Sequence, residues 1–190
     1  LVDERTGERM VLWSRDDTIA LGADELPPEL LPSATVVHVD DVDQQAAIQV
    51  ATLARAAGAI VTSDIDRVTD RTDELVAAVS IPILAEHVPA ALTGESQIGR
   101  ALRMLHERHG TLMCVTLGRS GAMIVDDGRV HYAPAFAVDA VDTTGAGDVF
   151  RGAFIYGLLR GDAPPALLRF ANAAAAVSCT RRGAMNAVPA

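Results

Sequence analysis

The stretch Val141-Asp142-Thr143-Thr144-Gly145-Ala146-Gly147-Asp148 runs straight into Val149-Phe150-Arg151-Gly152-Ala153-Phe154. It reads as an extended segment, a small-residue turn and the first turn of an amphipathic helix. Free backbone N–H groups at such a helix start cradle an anion, and the helix dipole favours negative charge there. Glycine lets the backbone come close to that anion. Asp148 lifts the stretch above a generic helix start. A carboxylate beside an anion site repels the anion, so its place there needs a reason. One reason is to take a proton from a hydroxyl that attacks a phosphorus held nearby. The plain alternative is a turn that only starts a helix.

The run from Asp142 to Asp148, with the Val-Phe-Arg-Gly-Ala-Phe that follows, resembles the C-terminal signature of the PfkB-type, ribokinase-like sugar kinases. Thr116-Leu-Gly-Arg-Ser-Gly121 is similar to that family's nucleotide-binding strand and turn. Phe170-Ala-Asn-Ala-Ala-Ala-Ala176 and Thr180-Arg-Arg-Gly-Ala184 are similar to its last helix and following loop. The resemblance implies an ATP-dependent carbohydrate kinase. Gly145, Ala146 and Gly147 would form the anion hole, and Asp148 would be the base. It further implies that Thr116, Gly118 and Gly121 approach the nucleotide and that Asn172 lies near the adenine. Two bland readings stand beside these: the glycines shape a strand-to-strand turn, and Asn172 sits on an exposed helix face.

Many relatives bind a monovalent cation beside the anion hole. The resemblance implies Asp142 and the carbonyl of Thr144 as ligands for K+, with Ala187 standing where a serine often serves. The alternative is that Asp142 only hydrogen-bonds the turn. Mg2+ is expected with ATP because phosphoryl chemistry needs charge neutralisation. Relatives often organise it with an Asn-x-x-Glu motif, where this chain has Ala85 and Val88; Glu86 stands one position on. That departure keeps a second reading open, a non-catalytic nucleotide-binding or regulatory protein on the same fold. A dinucleotide-dependent oxidoreductase fits worse, because Phe150 stands where the third glycine of Gly-x-Gly-x-x-Gly would be. Asp64-Ile-Asp66-Arg67 is read either as capping or as reaching the nucleotide.

These residues need elements to hold them. Residues 9–13 read as a strand, and 35–39 as a continuous apolar strand buried on both faces. The acids at 40, 41 and 43 are N-cap candidates for a helix with Ala46, Ala47, Val50, Ala51 and Ala54 at helical spacing, which Gly58 ends. Strands follow at 59–62, 81–84 and 112–116, with helices over 73–79 and 86–92 and a helix capped by Ser96. Strands at 122–125 and 130–132 flank a turn at Asp126-Asp-Gly128. A last helix carries Leu167, Leu168, Ala171, Ala174 and Ala175. Strands alternating with helices predict an α/β fold with a mostly parallel, doubly wound sheet. The resemblance specifies it as the ribokinase-like three-layer sandwich, with the remnant of a β lid over residues 1–22.

The chain has 190 residues, enough for one α/β domain with a core. It begins with Leu inside an apparent hairpin, and relatives are longer, so a fragment lacking the family's N-terminal third is expected. Net charge is −9, which argues against a general nucleic-acid or anionic-membrane binder. No apolar run reaches the roughly 18 residues of a membrane span. Cys114 and Cys179 are expected as free buried thiols, which suits a cytoplasmic protein. The five histidines show no zinc-like spacing. The expected partner is a small sugar, with a homodimer through the lid as the family's habit.

Overall fold

In the computed structural model of the protein, residues 1–189 are described apart from 4, 6, 8, 9, 11, 13, 23, 24, 26 and 27. The strand expected over 9–13 therefore lies largely outside the described residues. The chain forms two compact units interleaved in sequence. One comprises Asp16–Thr116 and Met123–His131, the other Leu1–Arg15, Leu117–Ala122 and Tyr132–Ala190.

The first of these units carries the alternation read from the sequence. Strand β1 (Val36–Asp40) leads to α1 (Gln44–Ala56), β2 (Ile60–Asp64), α2 (Thr72–Ala78) and β3 (Ile83–Ala85). Then come α3 (Val88–Thr93), α4 (Ile98–His109) and β4 (Met113–Thr116). β1 pairs in parallel with β2, and β3 in parallel with β4. Parallel bridges Thr62 to Ile81 and Ile65 to Leu84 join β2 to β3. Each parallel step is crossed by a helix, as βαβ geometry requires. β5 (Ala122–Asp126) and β6 (Arg129–Ala133) extend the sheet in the order β3-β4-β5-β6. Asp127 and Gly128 between them have φ of 47° and 72°, the two left-handed residues of a tight hairpin turn. Val61, Ile65, Leu75, Ile83, Leu84, Leu102, Leu105 and Met113 are fully buried. Each contributes about 1.5–3 kcal/mol relative to exposure.

Three local expectations are corrected. β1 is not buried on both faces: Val39 is buried but His38 is exposed. Its only partner among the described strands is β2. Ser96 does not cap α4; the helix starts one residue later, after Gln97, with no side-chain cap. Asp43 holds the N-cap position of α1 without a capping hydrogen bond, while Asp41 accepts the N–H groups of Asp66 and Arg67 through Oδ2. Asp41 thus fixes the 64–67 segment after β2.

The other unit is built on α5 (Ala146–Leu159) and α6 (Pro164–Cys179). α5 buries Phe150, Phe154 and Gly157, and α6 buries Leu167, Leu168 and Ala171. The helices pack closely at Gly157, where an added Cβ would lie 3.6 Å from the Leu167 side chain. Pro164 opens α6 at a position where a missing N–H costs nothing. Among the described residues no helix is long and apolar enough to cross a membrane. Both cysteines are free; Cys114 is buried, but Cys179, at the end of α6, is only half-buried.

Candidate active site

Gly145 is the residue on which α5 starts. It has φ 80° and ψ 0°, a left-handed conformation that glycine tolerates and other residues strain to reach. An added Cβ would also stand 2.7 Å from the Cβ of Ala184. A helix that starts on glycine has no side-chain cap, so its first N–H groups stay open. The Val149 N–H makes the first intrahelical bond, to the Gly145 carbonyl at 2.9 Å. The Ala146 N–H turns back to the Thr143 carbonyl at 3.2 Å. The N–H groups of Gly145, Gly147 and Asp148 have no acceptor among the described residues. The donors left over are therefore those of Gly145, Gly147 and Asp148, rather than the 145–147 set expected from sequence.

Asp148 sits in the first turn of α5, exposed, and its carboxylate has no protein partner among the described residues. Asp142 contrasts with it. Asp142 is buried, and its Oδ1 accepts the Thr144 N–H at 2.8 Å while its Oδ2 accepts the Gly183 N–H at 3.0 Å. The Val141 and Asp142 N–H groups donate to the Cys179 carbonyl at 2.8 and 3.3 Å. The segment before the turn is thereby stitched to the end of α6 and to the loop after it. A further tether has no signal in the sequence. The N–H and hydroxyl of Thr143 both donate to the carbonyl of Gly7, each at 3.0 Å.

The nucleotide candidates divide. Thr116 ends β4, in the other unit, where its hydroxyl donates to the Leu84 carbonyl at 3.4 Å. Gly118 and Gly121 bracket a 3-10 turn, with φ of 53° and 101°. At Gly121 an added Cβ would stand 2.1 Å from the Ala133 carbonyl oxygen, so only glycine lets the two backbones pass. Asn172 is buried, not on an exposed helix face. Its amide donates to the carbonyls of Ala133 (2.9 Å) and Pro134 (3.2 Å). Gly121 and Asn172 thus fix the same backbone segment, 133–135.

Elsewhere, Val88 is fully buried at the start of α3, Ala85 is apolar, and Glu86 is exposed. No group of three or more His, Cys, Asp or Glu among the described residues is arranged to hold a metal. The Cys179 thiol is pushed up from its ordinary value, first by burial and further by the negative charge of Asp142, against a lowering hydrogen bond from Ser178.

Comparison with known proteins identifies the family and the fold of the chain. The model of the pfkB family of carbohydrate kinases matches residues 1–190. The ribokinase of Haemophilus influenzae is 33% identical over 123 residues, which cover 62% of this chain and 40% of that protein. The crystal structure of a putative ribokinase from Agrobacterium tumefaciens superposes with a TM-score of 0.89 at 32% identity. That match covers 99% of this chain and 62% of the other. Arabidopsis thaliana ribokinase, complexed with ribose and ATP, gives 0.74 at 29% identity, covering 90% and 57%. The chain thus has the ribokinase-like α/β fold and spans less than two thirds of these relatives.

Proposed function

Because the chain belongs to the pfkB family of carbohydrate kinases, we propose that it forms the catalytic portion of an ATP-dependent sugar kinase. The observation that carries the reading is the start of α5. Among the described residues, the N–H groups of Gly145, Gly147 and Asp148 meet no acceptor at the positive end of a helix, beside an exposed carboxylate that meets no donor. The donors hold the oxygens of the γ-phosphoryl group. A sugar hydroxyl attacks the γ-phosphorus, and the bond from phosphorus to the bridging oxygen of ADP breaks. The hydroxyl proton passes to the Asp148 carboxylate.

Support for the nucleotide comes from likeness to the ATP complex of Arabidopsis ribokinase. Gly121 and Asn172 border the nucleotide in this reading by shaping segment 133–135, and Gly118 turns the chain ahead of Gly121; Thr116 lies in the other unit. Mg2+ would be held chiefly by the substrate phosphates, as this ion commonly keeps few protein ligands, and it would supply charge neutralisation there; Asp148 is kept for the proton. K+ at Asp142 competes with two backbone N–H groups for the same oxygens.

The test is ATP consumption by the whole protein with Mg2+ against a panel of sugars, with and without K+, beside Asp148→Asn. Sugar-dependent turnover should fall about a thousandfold in the variant with ATP binding retained. ATP binding without turnover on any sugar would favour the regulatory reading, which the apolar Ala85 and the buried Val88 support.

A further inference from the structure

The turn Gly118–Ser120 consists of three exposed residues of 3-10 geometry, a short element whose internal hydrogen bonds are poorly aligned by nature. Those bonds close it on itself. The Leu117 N–H donates to the Gly121 carbonyl at 2.8 Å, and the Ser120 N–H to the Leu117 carbonyl at 2.9 Å. The Gly121 N–H donates to the Gly118 carbonyl at 3.1 Å. They fix the shape of the turn, not its place against the strand beside it.

Tyr132 acts on that place. It stands on β6 in the same unit as the turn, and its phenolic O–H donates to the Ser120 carbonyl at 2.7 Å. That is the ordinary length of a good O–H···O bond. The backbone that follows Tyr132 runs against Gly121, where an added Cβ would stand 2.7 Å from both the Pro134 carbonyl carbon and the Ala135 nitrogen. Asn172 then holds the carbonyls of Ala133 and Pro134. The end of β6 therefore serves the turn through the Tyr132 side chain, and Gly121 and Asn172 through its backbone. The Tyr132 ring has a relative exposure of 53%, so core packing does not account for it. A phenol has only two side-chain torsions, and its oxygen holds a position at small entropic cost.

We infer that Tyr132 is a positioning residue of the nucleotide side of the site: its hydroxyl holds the 118–120 turn against the end of β6 before the nucleotide arrives. This rests on the kinase reading above. A turn ordered only part of the time binds more weakly by that fraction. Tyr132 is remote in sequence from the start of α5, where the phosphoryl group is transferred in that reading. Its effect falls on nucleotide affinity and leaves the transfer step alone.

The experiment uses Tyr132→Phe in the whole protein, which keeps the ring and removes the hydroxyl. Ser120 is exposed, so water replaces the lost donor and the fold stands. Tyr156→Phe is the control, an exposed tyrosine whose hydroxyl has no partner among the described residues. The measurements are ADP affinity by calorimetry, KM for ATP, kcat, thermal unfolding and hydrogen exchange at the Ser120 and Gly121 amides. In Tyr132→Phe, the Kd for ADP and the KM for ATP should rise about three- to tenfold. The kcat should change less than about twofold, with the unfolding temperature held. Exchange at the two amides should quicken without ADP and return to the wild-type rate when ADP saturates. Tyr156→Phe should change none of these. Unchanged ADP affinity or unchanged exchange in Tyr132→Phe overturns the inference. So does a weakened affinity that comes with an equal fall in kcat or with a lower unfolding temperature. A wild type that binds neither ADP nor ATP sinks the kinase reading and this inference together. A wild type that binds ADP as tightly as Tyr132→Phe does sinks the inference alone. ADP affinity and exchange decide the role of Tyr132 even where no sugar is turned over.

Discussion

Asp41 and Asp142 are buried carboxylates, one in each unit, and both accept backbone N–H groups from a segment distant in sequence. Asp41 receives the N–H groups of Asp66 and Arg67 on one oxygen, Oδ2. Asp142 divides its oxygens, Oδ1 to Thr144 and Oδ2 to Gly183. The first arrangement needs one acceptor atom; the second needs two. The difference shows how a carboxylate becomes irreplaceable. Asparagine carries one amide oxygen, which can serve Asp41's role after rotation but must fail one of the two donors at Asp142.

The largest effect that separates the two is on catalysis. Asp142→Asn turns an NH2 toward an N–H donor and loosens the Gly145 turn from the Gly183 loop. It should cost about 1–3 kcal/mol of stability. Activity should fall about ten- to a hundredfold, because small displacements of positioned groups are expensive. Asp41→Asn keeps its acceptor and should cost under about 1 kcal/mol with turnover unchanged. Denaturant melts and initial rates on both variants check this. Equal losses of activity in the two would mean that the Asp142 arrangement is no more than a fold contact.

Gly145→Ala sharpens the same comparison from the other side of the turn. It asks a residue with a Cβ to adopt φ near 80° and pushes that Cβ to 2.7 Å from Ala184. The left-handed conformation alone costs about 1–2 kcal/mol. Adding Ala184→Gly should recover the steric part and leave that residue of strain, with activity only partly restored. A double variant as unstable as the single one would show that the contact with Ala184 has no energetic weight.

These devices mark the boundary of what could be read in advance. The alternation of β1 to β4 with helices follows from local apolar periodicity, and the hairpin turn at Asp127 and Gly128 follows from residue type. The Asp142–Asp148 run stands out in the sequence because its residues are contiguous and lead straight into α5. What lay outside sequence reading depends on partners far along the chain. Gly183 sits 41 residues from Asp142, and Gly7 sits 136 from Thr143. Nothing in the acids at 40, 41 and 43 tells which one will meet the N–H groups at 66 and 67. Asn172 had two equal readings until the carbonyls of Ala133 and Pro134 were placed against it. The apolar run at 35–39 suggested cover on both faces, but cover is a property of neighbours, and β1 has one strand partner among the described residues.

The smallest expected effect reads the charge of Asp142 through Cys179. The thiol sits above its ordinary value of 9.0, chiefly through burial and further through the Asp142 carboxylate. Alkylation needs the thiolate, so the rate at Cys179 should rise with pH along a curve displaced to higher pH than that of a free thiol. Cys114 is fully buried and should stay silent in the native protein. Asp142→Asn removes the smaller raising cause and should move the curve part of the way down; Asp41→Asn should leave it in place. The linkage has a definite sign. A thiol raised in the folded state stays protonated there after the unfolded chain has begun to ionise, so stability falls as pH climbs from about 9 through the folded value. That fall should be shallower in Asp142→Asn and unaltered in Asp41→Asn. An Asp142→Asn curve that does not move would mean that no carboxylate charge acts on the thiol, and the division between a one-oxygen and a two-oxygen aspartate would lose its electrostatic half.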